Sequence, residues 1–267
     1  MAFPRGHLSY SQIRTYLICP RKYSFNYVEE ISVPLNDKLL LGTLVHETLE
    51  RYFRLRLKGG GAGPEEMEGW FIEEFLQARD NREILWSDQP ERVRKRGAGM
   101  IRHFIHDLAS DFSPLMVEKE LEAPLDGCPV NLRGVIDLVE EDLTITDFKT
   151  ATARWSRSRL RHSSLQMVVY KYLFESVFGN ANSRQRFCVM YSRKGEVVRS
   201  QFLEVQAGPE DREHLFRVIA YVAEGIGAER FPRHEGFRCG LCEYHDHCLG
   251  PKAPQRRKNA EETGSIA

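Results

Sequence analysis

Apolar residues recur at helical spacing in the first part of this chain and at strand spacing in the middle. Leu41, Leu44, Val45, Leu49, Tyr52 and Phe53 fall on one face of a helix predicted over Leu39 to Leu57. A shorter helix is predicted over Ser9 to Ile18, with Ser9 as cap, Gln12 in the capping-box position and Pro20 as its stop. After the flexible GGGAG stretch, two charge-rich helices over about Pro64–Arg79 and Pro90–Ala109 are expected to form a peripheral layer. The period then shortens to two. MVEKELEAPL, CPVNLRGVIDLVEE and LTITDFKT alternate and are rich in β-branched residues, which predicts strands. Ser163 to Phe178 reads as an amphipathic helix, RQRFCVMYSR and EVVRSQFLEV as two more strands hinged at Lys194-Gly195, and Gly208 to Arg230 as the last long helix. The tail after Pro251 is polar and is expected to be disordered. This order predicts one α/β domain over residues 1–250 with a mixed central sheet, its helical portion at about 38–111 and its core at about 115–230.

Composition narrows the class. The 267 residues are 42% hydrophobic and 28% charged, with a formal net charge of zero. With no global field, any nucleic-acid surface must be a local patch. The start MAFPRGHLSYSQIRTYL lacks the apolar core of a signal peptide, and no run is long enough to span a bilayer. A cytoplasmic protein with no membrane partner and with reduced thiols is expected. Its six cysteines then read as metal ligands or core residues before disulfides. No G-x-x-x-x-G-K-[ST] phosphate loop occurs, so any ATP-driven unwinding would come from a partner.

The stretch GVIDLVEEDLTITDFKT carries charge where a hairpin should be apolar. A turn centred at Asp142 sets Asp137 opposite Asp147. Alternation puts Asp147 and Lys149 on one face and leaves Ile136, Leu138, Thr146 and Phe148 for packing. Two facing carboxylates repel unless a cation lies between them, and hard oxygen ligands suit Mg²⁺ or Mn²⁺. A solvated surface hairpin is equally compatible with this stretch alone. Glu120 in the preceding strand is placed to reach the same site, as is His46 on the periodic helix. Gln166 and Tyr170 share a helix face at a spacing of four.

Together these residues resemble the PD-(D/E)XK nuclease superfamily, in its RecB-like exonuclease branch. The pieces run in family order: G-x-x-x-H at Gly42 and His46, an acidic strand at Glu120, G-x-x-D at Gly134 to Asp137, D-x-K at Asp147 to Lys149, and Q-x-x-x-Y at Gln166 and Tyr170. Ile136 stands where the superfamily's name has proline. The resemblance implies a restriction-endonuclease-like α/β core and a DNA exonuclease acting on single-stranded ends. It implies that His46, Asp137, Asp147 and the Phe148 carbonyl bind Mg²⁺ or Mn²⁺. Lys149 would position the attacking water, Glu120 would support the site or a second metal, and Gln166 with Tyr170 would orient Lys149 and the DNA backbone. Repair, recombination and CRISPR adaptation are the implied settings, with a helicase or adaptation proteins as partners.

Near the end, Cys239, Cys242 and Cys248 form C-x2-C-x5-C, an incomplete tetrahedral set. His245, His247 or Cys19 could complete it, and zinc fits any of these sets. The iron–sulfur members of the same nuclease branch, such as the AddB nuclease domain and the CRISPR-associated adaptation exonucleases, pair one N-terminal with three C-terminal cysteines. Their resemblance implies a [4Fe–4S] cluster on Cys19, Cys239, Cys242 and Cys248. Cys128 and Cys188 read as packing residues.

After the DFKT strand, Arg154, Trp155, Arg157, Arg159 and Arg161 with His162 form a basic segment with one aromatic. Placed at the mouth of the site, it is expected to hold DNA phosphates and stack an unpaired base, with Arg21 and Lys22 adding to that surface. A non-catalytic DNA-binding module and a zinc-stapled adaptor are the competing readings.

Overall fold

A six-stranded mixed sheet lies between two helical layers in the computed structural model, which describes residues 3–179, 182–193 and 197–250. The expected Lys194-Gly195 hinge and polar tail lie outside the described residues.

The chain opens with β1 (His7–Leu8) and α1 (Tyr10–Ile18). Ser9 caps α1, its hydroxyl accepting from the Gln12 N–H at 3.3 Å. The Gln12 Nε2 donates to the His7 carbonyl at 3.1 Å and to the Ser9 hydroxyl at 3.4 Å, so the side chain meets the cap's hydroxyl. Pro20 interrupts the helix without ending helical structure. Cys19 is extended, and Pro20 takes the first position of α2 (Pro20–Tyr23), where its missing N–H leaves no bond unmade.

The helical layer holds α3 (Asp37–Leu57), α4 (Pro64–Asn81) and α5 (Pro90–His103), beside a small parallel pair, β2 (Leu35–Asn36) with β3 (Ile84–Leu85). It is more than the peripheral layer expected. Leu40, Phe53, Phe71 and Phe104 are fully or almost fully buried and form a core with Leu138, Phe148 and Met190 of the sheet. Helix α5 is shorter than its apolar pattern suggests. A π-helical turn over Phe104–Leu108 and a 3₁₀ turn over Ala109–Asp111 replace its last turns and lead the chain onto the sheet.

The remaining strands are β4 (Pro114–Ala123), β5 (Asn131–Glu140), β6 (Thr144–Ala151), β7 (Arg184–Tyr191) and β8 (Arg199–Val205). β4 runs antiparallel along one edge of β5, and β6 antiparallel along the other. β7 is parallel to β6, which requires a crossover, and α6 (Arg157–Phe178) supplies it. β8 returns antiparallel to β7. Helix α6 begins six residues before its expected start because Ser156 caps it, accepting from the Arg159 N–H at 3.2 Å.

Helix α7 (Pro209–Gly227) and α1 pack with α6 on the second face of the sheet, over Ile136, Ile145, Phe187 and Val189. Gly134 permits the close approach of α6. A Cβ there would lie 2.8 Å from Leu173 Cδ1. The chain then passes a 3₁₀ turn (Phe237–Leu241) and α8 (His245–Leu249). No helix of the described residues is long and apolar enough to cross a membrane.

Candidate metal and catalytic site

The site begins where β5 and β6 separate. Their ladder pairs Leu138 with Thr146 and Val139 with Ile145, the register that sets Asp137 opposite Asp147. Beyond Leu138 the ladder stops. The Phe148 N–H, which would otherwise seek a backbone carbonyl on β5, donates to Asp137 Oδ2 at 2.9 Å. Farther along the same edge of β5, β1 pairs with Asn131 and Leu132. The edge between these two pairings is therefore left to side chains. β5 also turns over here. Leu138 packs in the helical-layer core, whereas Ile136, two residues away, packs in the core under α6. These two side chains do not share a face, as simple alternation suggests they should; the break in alternation lies level with the left-handed Glu118 of β4.

Three elements bring ligands to this gap. His46 of α3 sits with Nδ1 3.3 Å from Asp137 Oδ2. Gly42, one turn earlier, faces β6: a Cβ there would be 3.4 Å from Thr150 Oγ1, an ordinary contact. The third residue is Glu118 of β4. Ligand atoms of His46, Glu118 and Asp137 lie within 4.8 Å of one another.

Glu118 takes the place expected for Glu120. The β4–β5 register pairs Val117 with Leu138 and Lys119 with Ile136, which sets Glu118 level with Asp137. Glu120 lies opposite Val135, is 53% exposed and pairs with Arg133. Glu118 has φ +45°, a left-handed conformation that costs a non-glycine residue about 1 kcal/mol or more. Both acids stand in the same VEKELE run, two apart, and only the pairing of β4 with β5 separates them.

The gap's electrostatics follow from burial. Asp147 is fully buried, and burial pushes its carboxyl up to about 6 against the pull of Lys149. Burial pushes Glu118 up to about 8, with repulsion from Asp137 and Glu50 adding to it. Lys149 Nζ lies 2.6 Å from Asp147 Oδ2. Burial lowers the Lys149 pKa, but Asp147 and Asp137 outweigh it and hold the ammonium above its ordinary value.

Gln166 and Tyr170 stand behind the acid rather than the lysine. Gln166 Nε2 donates to Asp147 Oδ1 at 2.8 Å and to the Tyr170 hydroxyl at 2.9 Å. Both side chains are buried, so neither is placed to touch a DNA backbone from here. Burial, then Asp147 and Asp137, holds the Tyr170 phenol well above its ordinary pKa. Tyr10 of α1 also borders the site. Burial raises its pKa, and Lys149 and Asp147 lie close enough to act on it. The polar pattern of the N-terminal segment gives no sign of that.

The basic segment after β6 is arranged differently from its expected role. Trp155 is buried against Phe187, ring centres 5.3 Å apart, and cannot stack on a base in this conformation. Arg154 Nε donates to Gln201 Oε1 at 2.9 Å. Arg157, Arg159 and Arg161 are exposed on the first turns of α6, with the Arg159 guanidinium 4.9 Å over the Trp155 ring. Arg21 and Lys22 are engaged with Glu29 and Glu243, each at 2.8 Å.

Cys19, Cys239, Cys242 and Cys248 line one cleft of 590 Å³. None is in a disulfide. The His234 N–H points at Cys19 Sγ at 3.5 Å, and Cys239 Sγ donates to the His234 carbonyl at 3.8 Å. Chain ends meet here: Lys22 pairs with Glu243, and Phe25 packs on Tyr244 with ring centres 5.4 Å apart. His245 lines the same cleft. Cys188 is fully buried, which pushes its thiol up to about 12. Cys128 lies just before β5, half-buried against the α6-side core.

In overall shape the chain is similar to the crystal structure of a protein described as a "putative exonuclease" from Eubacterium rectale. The TM-score is 0.63 at 12% identity, covering 94% of this chain and 91% of that one. The structure of SSO0001 is a more distant neighbour, with a TM-score of 0.35 and 15% identity over 68% of this chain and 95% of that one. No curated protein matches the sequence. Residues 7–249, from β1 to the end of α8, match the model of the PD-(D/E)XK nuclease superfamily, and the chain belongs to that family.

Proposed function

We propose that this chain is a metal-dependent DNA exonuclease that hydrolyses phosphodiester bonds at single-stranded ends. The observation that carries the reading is the convergence of His46, Glu118 and Asp137 beside the buried Asp147–Lys149 pair. Carboxylate and imidazole donors suit Mn²⁺, and carboxylates also suit Mg²⁺. His46, Glu118, Asp137 and Asp147 would hold the ion. The Phe148 carbonyl should join them, since a strand residue's N–H and C=O point to the same side and this N–H faces Asp137. When bound, the ion supplies charge stabilisation at the phosphoryl group and acidifies water.

The residues divide the remaining work. Lys149 holds the attacking water and offsets charge gathering on the phosphate. Asp147 fixes the Lys149 ammonium, Gln166 fixes Asp147, and Tyr170 fixes Gln166. Exposed Arg157, Arg159 and Arg161 attract the phosphates of the incoming strand.

Four thiols on one cleft are donors for a soft metal centre, and we assign them a [4Fe–4S] cluster that staples the two ends of the fold. Zinc would use the same donors. DNA repair, recombination or CRISPR adaptation, with a helicase partner to open duplex ends, is the setting this reading fits.

Digestion of end-labelled single and double strands by protein purified without oxygen, with and without Mn²⁺, tests the assignment. Stepwise shortening that needs the metal and vanishes in Asp147→Asn and Lys149→Ala is expected. Full activity in both variants would refute it.

A further inference from the structure

A second cleft, of 740 Å³, lies between α5 and the end of β7. Among the described residues its lining carries Arg92, Lys95, Arg96, Arg102 and Arg193, with His103 and His106, against one carboxylate, Asp107. That is a concentrated positive surface in a chain of zero net charge. The carboxylates paired with these cations, Asp88, Glu91 and Glu68, are not on the lining. Arg92 and Lys95 keep 59% and 72% of their side-chain surface exposed, so their charges face solvent.

The floor of the cleft is fixed. His103 Nδ1 lies 2.7 Å from Asp107 Oδ2, and its Nε2 lies 3.1 Å from Ser200 Oγ, which ties α5 to β8. The location is informative too. Val189 of β7 pairs with Lys149 of β6, and Ser192 donates its N–H to the Ala151 carbonyl at 3.2 Å. Both strands run toward the same end of the sheet. Ser192 therefore stands about 10 Å beyond the level of Lys149, at the strand rise of ~3.3 Å per residue, and Arg193 follows it.

We propose that this cleft binds the phosphate backbone of a single nucleic-acid strand whose end occupies the gap between β5 and β6. Among the described residues the lining has no Phe, Tyr or Trp, so it suits backbone contact independent of sequence rather than base stacking. For its ligand the proposal rests on the nuclease reading. It adds an extended track that a short substrate does not reach.

The test compares the full chain with its Arg92→Gln/Lys95→Gln/Arg193→Gln variant, both in an Asp147→Asn background. Fluorescence anisotropy reads binding of a long (about 20-nucleotide) and a short (about 2-nucleotide) single strand over a salt series. The long strand should bind about tenfold to a hundredfold more weakly to the variant, with a salt slope reduced by about 2. The short strand should bind equally to both. A control with Arg5, Arg217 and Arg230 changed to Gln removes the same charge elsewhere and should bind the long strand like the parent. Unchanged long-strand affinity overturns the proposal, and so does an equal loss for the short strand or in the control. Because the readout is binding, absence of cleavage by the unmodified protein would sink the nuclease reading while leaving this result interpretable.

Discussion

The Phe148 N–H donates to Asp137 Oδ2 at 2.9 Å, a bond that β-ladder geometry would give to a backbone carbonyl. That substitution ends the β5–β6 pairing after two residue pairs and opens the edge where the other charged groups collect. The carboxylate is thus both a candidate ligand and the wedge that makes room for one. Asp137→Ala should remove both functions, whereas Asp137→Asn keeps an acceptor for the amide and removes the charge. Asp137→Asn is expected to lose about a hundredfold or more in metal-dependent cleavage with little change in Tm. Asp137→Ala should in addition lower Tm, read by thermal denaturation, because a buried N–H loses its partner.

Glu118 and Glu120 separate cleanly. Glu118→Gln is expected to weaken Mn²⁺ binding at least tenfold by calorimetry, while Glu120→Gln should stay within about twofold of the parent. Equal losses in the two variants would contradict the register derived from β4 and β5.

Metal affinity should depend on pH in a definite direction. Glu118 is pushed up to about 8 and Asp147 up to about 6, in both cases first by burial. In the metal-free protein the folded state therefore holds protons that the unfolded chain, at ordinary carboxylate values, has released. Stability of that form falls as pH rises from about 5 to about 8, because the unfolded chain binds fewer protons there. Bound metal must displace the same protons, so affinity should climb with pH to about 8 and release protons measurable by titration in buffers of different ionisation enthalpy. Glu118→Gln should flatten the upper part of that climb.

Lys149 holds a buried anion as well as facing the gap. The Asp147 side chain is 1% exposed and Lys149 28% exposed, so removing the ammonium leaves a charge with poor access to water. Lys149→Ala is expected to cost about 2 kcal/mol, and Lys149→Ala/Asp147→Asn should recover most of it while remaining inactive. Urea denaturation of the metal-free proteins checks the order.

Trp155 serves the core. Its ring is buried against Phe187, and its Nε1–H has no hydrogen-bond partner among the described residues. Trp155→Phe should leave single-strand affinity within about twofold and cost little stability, whereas Trp155→Ala should cost about 3 kcal/mol. A large loss of DNA affinity in Trp155→Phe at unchanged Tm would restore the stacking role.

Anaerobically purified protein is expected to contain iron and sulfide with visible charge-transfer absorption, all lost in Cys239→Ser. A colourless protein with one zinc per chain would replace the cluster with a zinc staple.

Local pattern determined much of this protein. The period change from helix to strand, the Ser9 cap and the pairing of Leu138 with Thr146 are short-range consequences of side-chain size and alternation, and all were legible in the sequence. So was the proximity of Lys149 to Asp147, because residues two apart in a strand share a face. Tertiary structure decided what depends on distant segments. Which glutamate of VEKELE meets Asp137 is set by the β4–β5 register and by the left-handed turn at Glu118. That Gln166 holds Asp147 rather than Lys149 is set by how closely α6 can lie on Gly134. Trp155 goes inward because Phe187 of β7 offers its ring an apolar contact. In each case the deciding contact joins residues far apart in the chain, and no local spacing encodes it.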